Sequence, residues 1–162
     1  MPEVFISLGS NLDSHQNMRL VKTYLDSYFT VTYSSLYETP AEGFDGENFL
    51  NMVCKFESEK NPYEIRHILK DIEKDMGRTA NQKGMSNRVI DLDLILYGDL
   101  ILKDSELELP SPDIQDYMFV LEPMAEIAPD LLHPTILRTI QDLLDLKSWE
   151  SKSEKNENGI FP

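Results

Sequence analysis

Apolar positions recur along this chain at two spacings, and the spacing assigns the elements. Residues 3–8 (EVFISL) read as a first strand, closed by Gly9-Ser10-Asn11. Met18, Val21, Leu25 and Tyr28 follow at helical intervals, predicting a helix over 13–28 that Asp13 or Ser14 would cap. Residues 30–38 (TVTYSSLYE) are β-branched and aromatic, and predict a second strand. A Pro- and Gly-containing loop, 39–48, leads to a third strand over 49–57. There Leu50, Met52, Cys54 and Phe56 share one face, and Phe49, Asn51 and Val53 the other. Ile65, Ile68, Leu69, Ile72 and Met76 form the apolar stripe of a helix over 62–76, with Pro62 near its start. A polar loop, 77–87, precedes the strand-like run RVIDLDLILYGD over 88–99.

Strand, helix, strand, strand, helix, strand is the split βαβ order. It predicts an α+β fold: a ferredoxin-like βαββαβ core, with an antiparallel sheet, helices on one face and the other face free to bind. Residues 100–109 read as a hairpin or edge pair, and 117–127 and 135–146 as two further helices. One domain over 1–146 is expected, followed by a polar, mobile tail over 147–162.

Charge narrows the partners. A formal net charge of −14 argues against sequence-independent nucleic-acid binding and against an anionic membrane surface as partner. An anionic ligand would need local Arg, Lys or metal. With one cysteine there is no internal disulfide, no secretory leader is seen and no apolar run is long enough for a bilayer, so a cytoplasmic protein is expected. Cys54 falls on the core face and reads as packing. No hydrolase elbow or Cys/His pair points to covalent catalysis, and His15, His67 and His133 suggest no zinc motif.

Within 88–99 the period-two spacing puts Asp91 and Asp93 on one face, with Ile90, Leu92 and Leu94 on the other. The pair is either a solvated edge or a ligand set. Asp is depleted in strand interiors, and Mg²⁺ takes one or two carboxylates together with substrate phosphates. Arg78, Lys83 and Arg88 cluster nearby, as surface cations or as phosphate contacts. Asn51 either bonds a neighbouring loop or reads the edge of a flat heterocycle. Gly9-Ser10-Asn11 is either a plain turn or a point of close ligand approach; no P-loop is present.

SLGSN (7–11), YETPAEG (37–43), FLN (49–51), GR (77–78), RVIDLDLILYGD (88–99), LPSPD (109–113) and EIAPDLLHP (126–134) together resemble the 6-hydroxymethyl-7,8-dihydropterin pyrophosphokinases over about residues 1–145. The resemblance implies pyrophosphoryl transfer from ATP to the pterin hydroxymethyl group, leaving AMP, in folate biosynthesis. It implies that Asp91 and Asp93 hold two Mg²⁺ ions, with Asp93 also assisting removal of the hydroxyl proton. Arg78 and Arg88 match phosphate contacts, and Glu73 a carboxylate of the nucleotide region. Asn51 matches the amide that reads the pterin edge, and Thr39 and Glu42 lie in the loop reading the same ring. Phe49 and Phe119 match aromatic positions beside it, Phe119 as a stacking partner. The partners implied are pterin and ATP, with the protein acting as a monomer.

The departures fall mostly on the nucleotide side. Positions usually Arg, Trp, His, Tyr and Arg in the family are Ala80, Met85, Ser111, Pro112 and Tyr117, and Ser86-Asn87 replaces Gly-Pro or Ala-Pro before Arg88. A charged hydrogen bond to phosphate contributes about 1.5–3 kcal/mol, so two missing arginines would weaken ATP binding, unless Lys83 substitutes. The alternatives are a divergent homologue that binds pterin but uses ATP weakly or differently, and a ferredoxin-like metabolite-sensing domain. The loops 39–48 and 77–87 are expected to close on MgATP.

Overall fold

A computed structural model describes residues 1–40, 48–77 and 89–157, with side chains described as far as residue 151. The expected order holds. It runs β1 (Glu3–Ser10), α1 (Ser14–Tyr28), β2 (Thr32–Tyr33), β3 (Tyr37–Thr39), β4 (Phe49–Glu57), α2 (Pro62–Asp75) and β5 (Asp91–Tyr97). The hairpin β6 (Leu102–Lys103) and β7 (Glu108–Leu109) comes next, then α3 (Asp113–Asp116), α4 (Met118–Ile127) and α5 (Ile140–Glu157). The sheet is antiparallel with β1 at its centre, between β4 and β5, and both β2 and β3 pair with β4.

Local chemistry explains most boundaries. Asn61 caps α2 in a reciprocal box with Glu64, and Pro62 opens the helix. Asp13 does occupy the N-cap of α1, but in a left-handed conformation and without a side-chain cap bond, so its capping role fails. The strand expected over 30–38 is two short strands. Between them the Ser34 hydroxyl takes the Val53 N–H while the Ser34 N–H donates to the Val53 carbonyl, which pins the break to β4. β1 continues through Gly9 to Ser10, so Gly9 belongs to the strand rather than to a closing turn. The helix expected over 135–146 begins at Ile140 and continues to Glu157, past the boundary drawn at 146. Ile140 and Leu143 anchor it in the core, and the helix propagates from that anchor.

Two apolar clusters fill the two faces of the sheet. Val4, Ile6, Leu8, Met52, Cys54, Leu92 and Leu94 pack against α1 and α2, the two core helices on one face. On the other face Phe5, Val53, Ile95 and Leu96 pack under α4 and α5. A register shift makes this possible: Phe5 opposes Leu96 while Ile6 opposes Leu94, so Ile95 is one residue too many. The second face is therefore covered at one end only. The other end is left uncovered by helices and carries Ser7, Gly9, Asp91 and Asp93 beside the buried Asn51, narrowing the free face expected from the sequence to half a sheet.

Candidate active site

Strand register sets the site. Gly9 stands opposite Asn51 on β4 and opposite Asp91 on β5, and Ser7 opposite Val53 and Asp93. Asn51, Gly9 and Asp91 thus form one row across three strands, on the open half of the sheet. The middle of the row has no side chain. A Cβ on Gly9 would lie 3.5 Å from Asn51 Oδ1 and 3.9 Å from the Phe49 ring. The buried Ser10 hydroxyl donates to the Val89 carbonyl and ties the end of β1 to the entry of β5.

Asn51 is buried and its amide is oriented. Nδ2 donates to Thr39 Oγ1 at 2.8 Å and, more weakly, to the Tyr37 carbonyl at 3.4 Å. Oδ1 is left on the Gly9 side. The residue is satisfied by its neighbour strand and still presents an acceptor to the open face. Phe49 is half-buried at the start of β4. Phe119 is exposed in the first turn of α4, stacked on Tyr117 with ring centroids 4.8 Å apart.

Beyond Asp93 lies a cleft of about 280 Å³, whose charged lining is Arg66, Lys70, Asp93, Glu106, Glu108 and Asp113. Its concave wall removes water from the Asp93 carboxylate even though the residue is exposed at the mouth. That desolvation, reinforced by the Asp91 charge and partly offset by Lys70, pushes the carboxyl up to about 7. Desolvation, then the nearby Asp116 and Asp91 charges, also raises Asp113. Such a cleft attracts cations. Among the described residues no group of three or more His, Cys, Asp or Glu could enclose a metal ion. The Asp91/Asp93 pair fits an ion that completes its shell with substrate oxygens, as Mg²⁺ does.

Glu73 is buried behind the site. Its carboxylate accepts the Leu92 N–H at 2.7 Å and lies 3.4 Å from Lys70 Nζ. It backs the stretch of β5 between the two aspartates. Ser111 and Pro112, two of the departures, line the cleft, and a third, Tyr117, pairs with Phe119. Glu42, Arg78, Lys83 and Arg88 lie outside the described residues, as do Ala80, Met85, Ser86 and Asn87 and most of both loops expected to close. Sequence reasoning missed Arg66 and Lys70. Their signal was available: with Glu73 they fall at i, i+4 and i+7 on one face of α2.

The fold and this site define a class: a ferredoxin-like α+β domain with an acidic cleft at the open half of its sheet. The family model described as 7,8-dihydro-6-hydroxymethylpterin-pyrophosphokinase matches residues 5–129, and the chain belongs to that family. It is 36% identical over 136 residues to folic acid synthesis protein FOL1 of Dictyostelium discoideum, covering 82% of this chain but 20% of that protein. It is 38% identical to a 2-amino-4-hydroxy-6-hydroxymethyldihydropteridine pyrophosphokinase of Porphyromonas gingivalis, covering 83% of this chain and 95% of that one. The chain thus spans about a fifth of the first relative's length and nearly all of the second's. The fold matches the crystal structure of Plasmodium falciparum HPPK-DHPS wild type with pteroate at a TM-score of 0.80 and 12% identity, over 96% of this chain and 46% of that one. Among the described residues no helix is long and apolar enough to cross a membrane.

Proposed function

We propose that this chain transfers the β,γ-pyrophosphoryl group of ATP to 6-hydroxymethyl-7,8-dihydropterin, giving AMP and the pterin diphosphate in folate biosynthesis. The pterin hydroxyl oxygen attacks the β-phosphorus, the bond from that phosphorus to the α,β-bridging oxygen breaks, and the hydroxyl proton is lost. The observation that carries this reading is the Asn51–Gly9–Asp91 row with Asp93 beside it. One end offers an oriented amide for a flat heterocycle. The other offers two carboxylates where a metal-bound phosphate would lie. Bacterial relatives spanned almost end to end carry the name of this activity.

In this reading Asn51, Thr39 and Glu42 read the pterin edge, and Phe49 and Phe119 flank the ring. Asp91 and Asp93 hold two Mg²⁺ ions, which when bound neutralise charge on the phosphate oxygens. Arg78, Lys83 and Arg88 grip the phosphates. Asp93 also assists removal of the hydroxyl proton. Glu73 acts through β5 rather than on the nucleotide. The protein works as a cytoplasmic monomer without nucleic-acid or membrane partners, as its charge of −14 favours.

A second reading, a pterin binder with weak or altered ATP use, draws on one observation. Glu106, Glu108 and Asp113 line the cleft, and Ser111 and Pro112 stand where the family has His and Tyr. The test for both is AMP release from MgATP and hydroxymethyl-dihydropterin. Turnover is expected, falling about 100-fold or more in a folded Asp93→Ala variant. Full activity in that variant, or none in the wild type, would overturn the leading reading. Separate titrations showing tight pterin binding with no MgATP binding would establish the second.

A further inference from the structure

Outside the proposed machinery, one carboxylate is bound more completely than any role so far explains. Glu126, in the last turns of α4, accepts the Ser35 N–H at 3.0 Å on Oε1 and 3.1 Å on Oε2. It also accepts the Ser35 hydroxyl at 2.9 Å and the Tyr37 hydroxyl at 2.7 Å. Burial alone would raise its carboxyl, but the bonds from Tyr37 and Ser35 outweigh that and hold it below the usual range. The carboxylate is exposed at the surface, yet among the described residues its hydrogen-bond donors all come from one short segment, residues 35–37.

That segment runs directly into the site. Tyr37 pairs with Asn51 in register, and Thr39 ends the same three-residue strand. The groups that orient the Asn51 amide are Thr39 Oγ1 and the Tyr37 carbonyl, both on β3. β3 pairs with β4 alone and is too short to hold its own position strongly. At the other end of α4, Phe119 is seven residues before Glu126, two helical turns away on the same side of the helix. One side chain therefore joins the helix that carries the ring-stacking residue to the strand that aims the amide.

We infer that Glu126 is a positioning residue for the pterin slot. By clamping β3 to α4 through Ser35 and Tyr37, it fixes the spacing between Phe119 and Asn51 and the direction in which Asn51 presents Oδ1. The inference deepens the proposed function and rests on its pterin site. Glu126 touches no reacting atom, so its loss should appear in pterin recognition and leave the nucleotide side alone.

The test compares Glu126→Ala, Glu126→Gln and Tyr37→Phe with wild type in the AMP assay, with melting temperatures alongside. In Glu126→Ala, KM for the pterin should rise about tenfold, with kcat and KM for MgATP within about twofold of wild type. Glu126→Gln keeps an acceptor oxygen for Ser35 or Tyr37 and should recover most of the loss. Tyr37→Phe should cost less than Glu126→Ala, and the two together less than their sum. A fall in kcat and a rise in both KM values together, tracking lost stability, would overturn the inference, as would an unchanged pterin KM. If wild type neither turns over nor binds pterin, the proposed function fails. The clamp is then decided without ligand, by the side-chain NH₂ signals of Asn51 in ¹⁵N spectra. Signals that move to free-amide values in Glu126→Ala support it; unchanged signals refute it.

Discussion

Gly9 acts by having no side chain. It sits one residue before the end of β1, paired on both sides, and glycine within a strand costs about 0.5–1 kcal/mol relative to Ala. The protein itself does not demand it: a Cβ there would meet its neighbours at 3.5 Å and 3.9 Å, ordinary contact distances. What a methyl would fill is the floor between Asn51 and Asp91. Gly9→Ala should therefore hold or raise the melting temperature while weakening pterin binding, by about 1–3 kcal/mol if the ligand rests on that floor. Thermal melts and a pterin titration on the same sample separate the two effects. Lost stability with intact binding would show that the glycine serves the fold.

At the scale of elements, the site depends on how β5 hangs from α2. The Leu92 N–H lies between the two aspartates and donates to the buried Glu73 carboxylate. Glu73→Ala leaves that amide without this acceptor, at about 1–3 kcal/mol, which for a domain of this size lowers the melting temperature by about 2–12 °C. Turnover should fall with it, because the strand that loses its anchor carries Asp91 and Asp93. Glu73→Gln retains an acceptor and should keep most of the stability. Equal losses in both variants would point to the charge near Lys70 rather than the bond to β5. The shift in register that places Ile95 and Leu96 under α4 works at the same scale: it ends the polar half of the face and begins the covered half.

For the whole molecule, the acidic cleft opposes folding unless a cation enters it. Asp93 rises from an ordinary 3.8 to about 7 through desolvation and the Asp91 charge. A raised carboxyl holds its proton more tightly folded than unfolded, so its contribution to stability is greatest below pH 4 and is lost as pH climbs to 7. The full shift would correspond to about 4 kcal/mol, but solvent at the cleft mouth reduces this to about 1–2 kcal/mol. Asp93→Asn should therefore gain stability over wild type between pH 4 and pH 7, and the gap should stay constant above. Urea denaturation across that range, without divalent ions, checks it. A gap that narrows with rising pH would contradict the assignment. Added Mg²⁺ at pH 8 should stabilise wild type more than Asp93→Asn.

Whatever depends on spacing along the chain was legible in the residues alone. Period two placed Asp91 and Asp93 on one face and Leu92 and Leu94 on the other, and the structure keeps them there. Period 3.6 set α1 and α2, and the element order alone specified the ferredoxin-like core. Contacts between residues far apart in the chain came only with the folded molecule. Nothing local to Gly9 says that Asn51 and Asp91 flank it, because that row forms by pairing across three strands. Nothing local to Glu126 says that it reaches Ser35 and Tyr37, about 90 residues earlier. Composition marked residues 147–162 as a polar tail, yet a helix anchored at Ile140 and Leu143 runs on as far as Glu157. Periodicity reports which face a residue takes; only closure of the sheet and docking of α4 decide what that face meets.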